Sequence, residues 1–229
     1  MTSIKQEILR YLGHKNQHVP QALDKMINEC LDMMQQAIVS RQVHLNVPLL
    51  HDVEGITVEG TGIFLNGHAT VNYLRGCESV TIMAATLSTA ADALIQKWQD
   101  IDLTRALILD ACATGLIESF CDETEQTIRQ KAAEQGLGAI ARISPGYGDF
   151  PLEAQPQILQ TLNAAKRIGL TCTPHHLMLP RKSVTAIIGL GSRLAPQTKN
   201  CQNEYKCNSC SMRQTCPFTT IKTTEEPHQ

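Results

Sequence analysis

The sequence has few aromatic residues and no long run of basic residues. Aromatic side chains make up 4% of its 229 residues, and 20 Lys and Arg against 22 Asp and Glu give a formal net charge of −2. Single strands of nucleic acid are held by aromatic stacking surfaces and duplexes by basic surfaces. The composition therefore predicts no nucleic-acid partner.

Long apolar runs are missing as well. The first residues, MTSIKQEILRYLG, lack the apolar core of a secretory signal, and no uninterrupted apolar run approaches the ~20 residues that cross a bilayer. We therefore expect a cytoplasmic protein without membrane association. Hydrophobic residues reach 42% of the chain, which is enough for a packed core.

Hydrophobic periodicity predicts helices and strands in irregular order. Apolar residues at three- and four-residue spacing predict helices over residues 23–38, 87–98, 103–135 (with a break near 115) and 156–169. Alternation and β-branched residues predict strands over 43–47, 79–85, 138–143, 170–179 and 183–188, with short antiparallel strands between 52 and 67. This order favours an α+β fold over a repeating βαβ sheet.

The turn that runs from Arg142 to Tyr147, RISPGY, combines residues suited to binding a small ligand. An Arg at the end of a strand can hold a carboxylate through two parallel hydrogen bonds. Gly146 lets backbone groups approach a ligand, and Tyr147 supplies a flat, partly polar surface. The pattern would suit an amino-acid-like ligand that carries a heterocycle, but taken alone it is more typical of an ordinary connection between a strand and a helix.

A polar stripe runs along the helix predicted before this turn. Asp110, Thr114 and Glu118 are four residues apart, so they share one helix face. The stripe is either a face in contact with water or the wall of a pocket, and helix propensity does not distinguish the two.

Four of the nine cysteines are close together near the C-terminal end of the sequence. Cys201, Cys207, Cys210 and Cys216 lie on a polar segment, and Pro217 follows the last of them. Four thiolates can organise such a segment around a metal. The run resembles iron–sulfur ligation, which favours a [4Fe–4S] cluster; structural zinc and free or disulfide-forming thiols are the alternatives.

The order of several motifs is similar to a known family. The motifs are RISPGYGDFP, then a helix that ends in RIGL, then MLPRKSVTAIIGLG, and more weakly DACATGLIESF. In this order they resemble the C-terminal activation domain of cobalamin-dependent methionine synthase. The resemblance implies an α+β fold with a mainly antiparallel, bent sheet and flanking helices, in a free-standing version of the domain. It divides the chain into an N-terminal helical segment (1–42), an activation-like domain (43–192) and a Cys-rich tail (193–229).

This resemblance implies a site for S-adenosylmethionine. In the family the Arg of the motif holds the methionine carboxylate, the backbone of the turn contacts the ligand, the Tyr packs against it, and a helical Glu hydrogen-bonds to it. The residues that match are Glu118, Arg142, Ser144, Pro145, Gly146 and Tyr147. Two family residues have no match: an acidic residue near the N-terminus, and a Tyr after the last strand, where Arg193 and Leu194 stand here.

The resemblance implies an accessory protein for a corrinoid methyltransferase. The expected role is reductive reactivation of cobalamin on methionine synthase or another corrinoid protein, with S-adenosylmethionine as methyl donor and flavodoxin or ferredoxin as electron donor. No side chain of this chain is expected to act as a nucleophile. The alternative is a module that senses S-adenosylmethionine or docks a partner and has a structural zinc in its tail. A methyltransferase for another substrate is disfavoured, because no Gly-rich strand–turn–helix is present.

Overall fold

A computed structural model describes residues 4–14 and 18–194 of the chain. The helices are α1 (Ile4–Tyr11), α2 (Gln21–Ala37), α3 (His68–Tyr73), α4 (Thr89–Gln99), α5 (Leu103–Glu134), α6 (Ala154–Thr161) and α7 (Ala164–Ile168). The strands are β1 (Arg41–His51), β2 (Ile56–Val58), β3 (Ile63–Leu65), β4 (Ser79–Thr86), β5 (Gly138–Ala139), β6 (Thr171–Cys172), β7 (Met178–Leu179) and β8 (Ser183–Gly191).

One antiparallel sheet organises the domain. Its strand order is β3-β2-β1-β4-β8-β5, and β6 and β7 form a separate small hairpin. The long pairings are central: β4 pairs with β1 from Ser79 to Thr86 and with β8 over the same residues. The α+β fold with a mainly antiparallel sheet is therefore confirmed.

Helices cover both faces of the sheet, so that two hydrophobic cores form. Side chains of a strand alternate between faces, and neighbouring residues of β4 accordingly belong to different cores. Met83 packs with α1, α2, α4 and α5, whereas Ile82 packs with α6, α7 and the β2–β3 hairpin. The N-terminal helices share the first core, and the three domain boundaries drawn from the sequence stay predictions.

Helix α5 is continuous, so the break predicted near residue 115 is wrong. The carboxylate of Asp102 caps its first turn by accepting from the backbone N–H groups of Thr104 (2.9 Å) and Arg105 (3.1 Å). A glycine is accommodated at position 115, inside the helix, because α1 packs across α5 at this position. A Cβ at Gly115 would lie 3.3 Å from Cγ1 of Ile8, so the missing side chain lets the two helices approach closely.

Three predicted elements are shorter or interrupted. The strand predicted over 138–143 is the two-residue β5 followed by a single bridge between Ile143 and Ile187. The strand predicted over 170–179 is the β6–β7 hairpin, because the chain turns between Thr173 and Leu177. The helix predicted over 156–169 divides into α6 and α7 at Asn163, whose backbone is left-handed (φ 49°).

No helix within residues 4–14 and 18–194 has both the length and the apolar character that crossing a bilayer requires.

Candidate functional site

Arg142 is the centre of the candidate site and is buried against α5. Its guanidinium donates from Nη1 to Asp122 Oδ1 (2.5 Å) and Glu125 Oε2 (2.7 Å), and from Nη2 to Glu118 Oε2 (2.9 Å). These acceptors stand at positions i, i+4 and i+7 of the helix, so they share one face. Burial disfavours the charged guanidinium, but the carboxylates of Asp122, Glu125 and Glu118 outweigh it and hold the pKa of Arg142 above its ordinary value.

The three carboxylates differ sharply in exposure. The Glu125 side chain is 2% exposed, whereas those of Glu118 and Asp122 are 42% and 56% exposed. Glu125 Oε1 also accepts from Arg129 Nη2 (2.7 Å), and Arg129 in turn binds the carbonyl of Ala139. Glu125 is therefore a fixed structural partner of Arg142, while the other two carboxylates can turn into water.

The charges of this cluster do not cancel. Among the ion pairs of the described residues, this cluster has three carboxylates and the two guanidinium groups of Arg142 and Arg129, an excess of one negative charge. Two of the carboxylates are at the outer surface, so the mouth of the site attracts cations. A zwitterion that carries an extra positive charge matches this arrangement.

The turn after Arg142 has a defined shape. The N–H of Gly146 donates to the carbonyl of Phe150 (2.8 Å), and the N–H of Tyr147 donates to the carbonyl of Ser144 (3.2 Å). Gly146 has φ +87°, a conformation that favours glycine. Pro145 is buried, and Tyr147 is 70% exposed.

Asp149 ties this turn to α3. Its carboxylate accepts from the backbone N–H groups of Ala69 (2.7 Å) and Thr70 (2.9 Å) and from the Thr70 hydroxyl (2.6 Å). A Cβ at Gly67 would collide with Asp149, so a glycine is required where the two segments meet. The RISPGY turn is thus held from both ends, by Arg142 on α5 and by Asp149 on α3.

Lys182 binds the other end of the polar stripe. Its Nζ lies 2.9 Å from Asp110 Oδ1 and 2.8 Å from Thr114 Oγ1, and its side chain is 14% exposed. Lys182 immediately precedes β8, so this contact fixes the start of β8 against α5. The stripe from Asp110 to Glu118 therefore contacts two basic side chains, Lys182 and Arg142, and its carboxylates are partly exposed, so the water-facing surface and the pocket wall both stay predictions.

The structure places Glu118 in contact with Arg142 (2.9 Å), while the role of Glu118 and of the turn from Arg142 to Tyr147 in binding a ligand stays a prediction. The sequence analysis missed Asp122, Glu125 and Lys182. The first two could have been found by extending the stripe, because they follow Glu118 at helical spacing on the face that binds Arg142. No local sequence pattern indicates that Lys182 contacts the polar stripe of α5.

A surface depression of about 280 Å³ lies elsewhere, between α6, α7 and β6. It is lined mainly by uncharged residues, including Leu159, Ala164 and Cys172, and by none of the predicted site residues. The ionic and hydrogen-bonding groups that recognise a zwitterion are at Arg142, so we place the site there.

The cysteine tail is outside the described residues, and so is the metal site predicted at Cys201, Cys207, Cys210 and Cys216. Within residues 4–14 and 18–194, no group of three or more His, Cys, Asp and Glu residues is arranged to hold a metal ion. Four of the five cysteines in that part of the chain are buried and all five are free thiols: Cys30, Cys77, Cys112, Cys121 and Cys172, the last only partly buried.

Comparison with known proteins identifies a structural relative. No protein-family model and no curated protein matches the sequence. Among solved structures, the chain is similar to the MetH reactivation domain bound to AdoHcy, with a TM-score of 0.61 and 16% sequence identity. The alignment covers 86% of this chain and 79% of that one. The fold that the sequence resemblance predicted is therefore confirmed: the chain has the α+β fold of a methionine synthase reactivation domain.

Proposed function

We propose that this protein binds S-adenosylmethionine at Arg142 and supports the reductive reactivation of a corrinoid methyltransferase. The observation that carries the proposal is the buried Arg142, flanked by two exposed carboxylates and followed by the RISPGY turn. The structural relative supports it, because that domain was solved with S-adenosylhomocysteine, the demethylated product of this methyl donor.

The charges give a binding mode for the amino-acid end of the ligand. The ligand carboxylate takes the place of the exposed Asp122 and Glu118 carboxylates on Arg142, while Glu125 keeps its own buried contact with the guanidinium. The released carboxylates of Asp122 and Glu118 then pair with the ligand ammonium group. After this exchange the buried Arg142 is still paired with carboxylates, which avoids the penalty of a buried lone charge, and the excess negative charge lies on the exposed Asp122 and Glu118.

The remaining parts of the ligand lie along the turn. In the proposed complex the backbone of Ser144 and Gly146 contacts the ligand, Pro145 fixes the turn, and the exposed Tyr147 ring packs against the ligand. The sulfonium cation offsets the uncompensated negative charge of the cluster. The site therefore suits the positively charged methyl donor.

Methyl transfer itself requires no nucleophilic side chain. When bound to the partner protein, cobalamin would supply the nucleophile as its reduced cobalt, and a donor such as flavodoxin or ferredoxin would supply the electron. The residues of this chain bind the ligand and orient its methyl group outward, toward the partner. Methionine synthase is the partner we propose, and another corrinoid protein is the alternative.

Binding is tested by isothermal titration calorimetry of the full chain with S-adenosylhomocysteine and S-adenosylmethionine. Arg142→Ala should weaken binding about 10- to 100-fold, the range expected for loss of a charge-assisted hydrogen bond. Arg41→Ala is the control, because Arg41 is exposed at the far end of β1. A double variant, Arg142→Gln with Glu125→Gln, replaces the guanidinium and its buried carboxylate partner together and should bind as weakly.

Reactivation has its own assay. The protein, a corrinoid methyltransferase in the Co(II) state, a reductant and methyl-labelled S-adenosylmethionine are incubated together, and label on the corrinoid is measured. Transfer above the level without this protein supports the proposal. Binding without transfer favours the alternative, a module that senses S-adenosylmethionine or docks a partner.

The Cys-rich tail is proposed to hold a [4Fe–4S] cluster through Cys201, Cys207, Cys210 and Cys216. Four thiolates fit such a cluster, and when bound it would supply one-electron chemistry. Anaerobic purification followed by iron and sulfide analysis tests this. Zinc without iron would instead support the structural-zinc alternative.

A further inference from the structure

The outer edge of β8 is open over a short stretch. On one side β8 pairs with β4 along its whole length, from Ser183 to Leu190. On the other side its partners are β5 and the residues after it, and the last of these contacts is the bridge between Ile143 and Ile187. The stretch from Ser183 to Thr185 has no strand beside it within the described chain.

Thr185 directs its backbone groups to this open edge. In an antiparallel ladder, residues two apart turn their N–H and C=O groups to the same side. Ile187 exchanges two hydrogen bonds with Ile143 (3.0 and 2.8 Å), so Thr185 faces the same edge as Ile187. In residues 4–14 and 18–194, neither the N–H nor the C=O of Thr185 has a hydrogen-bond partner.

The sequence explains why the ladder stops there. If the pairing continued beyond Ile143, the residue opposite Thr185 would be Pro145, which has no N–H to donate. The chain instead turns at Gly146. Thr185 is 2% exposed, and buried backbone groups without a partner are rare in folded proteins. This donor and acceptor are therefore candidates for a ligand.

The surroundings limit what the ligand can be. The open stretch is closed at one end by the Ile143–Ile187 bridge and at the other by the turn from Pro180 to Lys182. The three residues from Ser183 to Thr185 are too few to hold an extended peptide. A small planar group with an acceptor next to a donor fits the N–H and C=O of a single residue.

We infer that Thr185 recognises the base of an adenine nucleoside. This rests on the function proposed above and assigns the nucleoside end of the same ligand. Adenine presents a ring-nitrogen acceptor beside its amino donor. The N–H of Thr185 donates to the ring nitrogen, and its C=O accepts from the 6-amino group. Arg142, one residue before Ile143, holds the amino-acid end.

A pair of ligands tests this on the unmodified protein. Calorimetry compares S-adenosylhomocysteine with S-inosylhomocysteine, in which an oxygen replaces the 6-amino group. That oxygen would face the C=O of Thr185, so the inosine compound should bind at least tenfold more weakly. If both bind equally well, the inference about Thr185 is overturned while the proposed function stands. If neither binds, the proposed function fails.

Two variants test the residue itself. Thr185→Pro removes the N–H at a sheet edge, where proline is tolerated, and should weaken S-adenosylhomocysteine about tenfold. Thr185→Val is the control, because both changes remove the hydroxyl that hydrogen-bonds to Gln155 Oε1 (3.3 Å) but only proline lacks the N–H. Equal affinities of the two variants would overturn the inference. If Thr185→Pro does not fold, the comparison of the two ligands on the unmodified protein tests the inference.

Discussion

Replacement of Arg142 by Ala should destabilise the fold as well as weaken ligand binding. The guanidinium is the partner of Glu125, which is 2% exposed and cannot reach water when Arg142 is removed. Breaking a buried ion pair by deleting one member typically costs about 3–5 kcal/mol. Arg129 still binds Glu125, so we expect a loss near 3 kcal/mol in the free energy of unfolding.

The exposed partners of Arg142 should matter much less. Glu118 and Asp122 are 42% and 56% exposed, and ion pairs in contact with solvent contribute about 0–1 kcal/mol. Asp122→Asn is therefore the matched control, with a loss of at most ~1 kcal/mol.

Urea denaturation at pH 7, followed by circular dichroism, measures these differences. The reasoning is refuted if Arg142→Ala unfolds within ~1 kcal/mol of the unmodified protein, or if Asp122→Asn is as damaging as Arg142→Ala. Either result would mean that burial of Glu125 does not determine the energy of the cluster.

Three other outcomes are expected. Burial raises the pKa of Asp149, but hydrogen bonds from Thr70 and from backbone N–H groups outweigh it and leave that pKa below its ordinary value. Asp149→Ala should therefore lose about 1 kcal/mol at pH 7. Denaturation series should show this difference shrinking once the pH falls below the ordinary Asp value of ~4, and vanishing at lower pH, where the carboxylate of the folded protein is protonated. Burial raises the pKa of Cys112 to about 12, so mass spectrometry should find it unmodified by iodoacetamide at pH 8 until urea is added; labelling in the native protein would contradict the buried position. Gly191→Ala places a methyl group against the Gly76 carbonyl and should lower the stability measured by thermal unfolding by about 1–3 kcal/mol. Gly115→Ala should be nearly neutral, because the added methyl group meets only side chains and the Ile4 carbonyl of α1, all at 3.3 Å or more. Equal effects of the two glycine changes would show that the close backbone approach at Gly191 is not required.

The candidate site could be predicted in part because its signals are local. Arg142 and Gly146 sit in one short motif, and the helical spacing from Asp110 to Glu118 marks one face of α5. The partners of Arg142 could not be predicted in the same way. Its contacts with Glu118 and Glu125 span 24 and 17 residues, and no local pattern states which carboxylates a guanidinium will reach across such a distance.

The errors in the predicted secondary structure also arise because local patterns do not show tertiary packing. Gly115 was expected to break α5, because glycine is unfavourable in a helix interior. Packing of Ile8 of α1 against that position decides otherwise. Asn163 gave no breaking signal in the sequence, and its left-handed backbone divides α6 from α7.

The sequence by itself determined the α+β composition, the sharp turn at Pro145 and Gly146, and the polar face of α5, since periodicity and backbone chemistry act over a few residues. Tertiary structure decided that β8 lies between β4 and β5, that Arg142 is buried among three carboxylates, and that the backbone of Thr185 is left unpaired. These depend on which strands pair and in what register, and that follows from packing across the whole sheet.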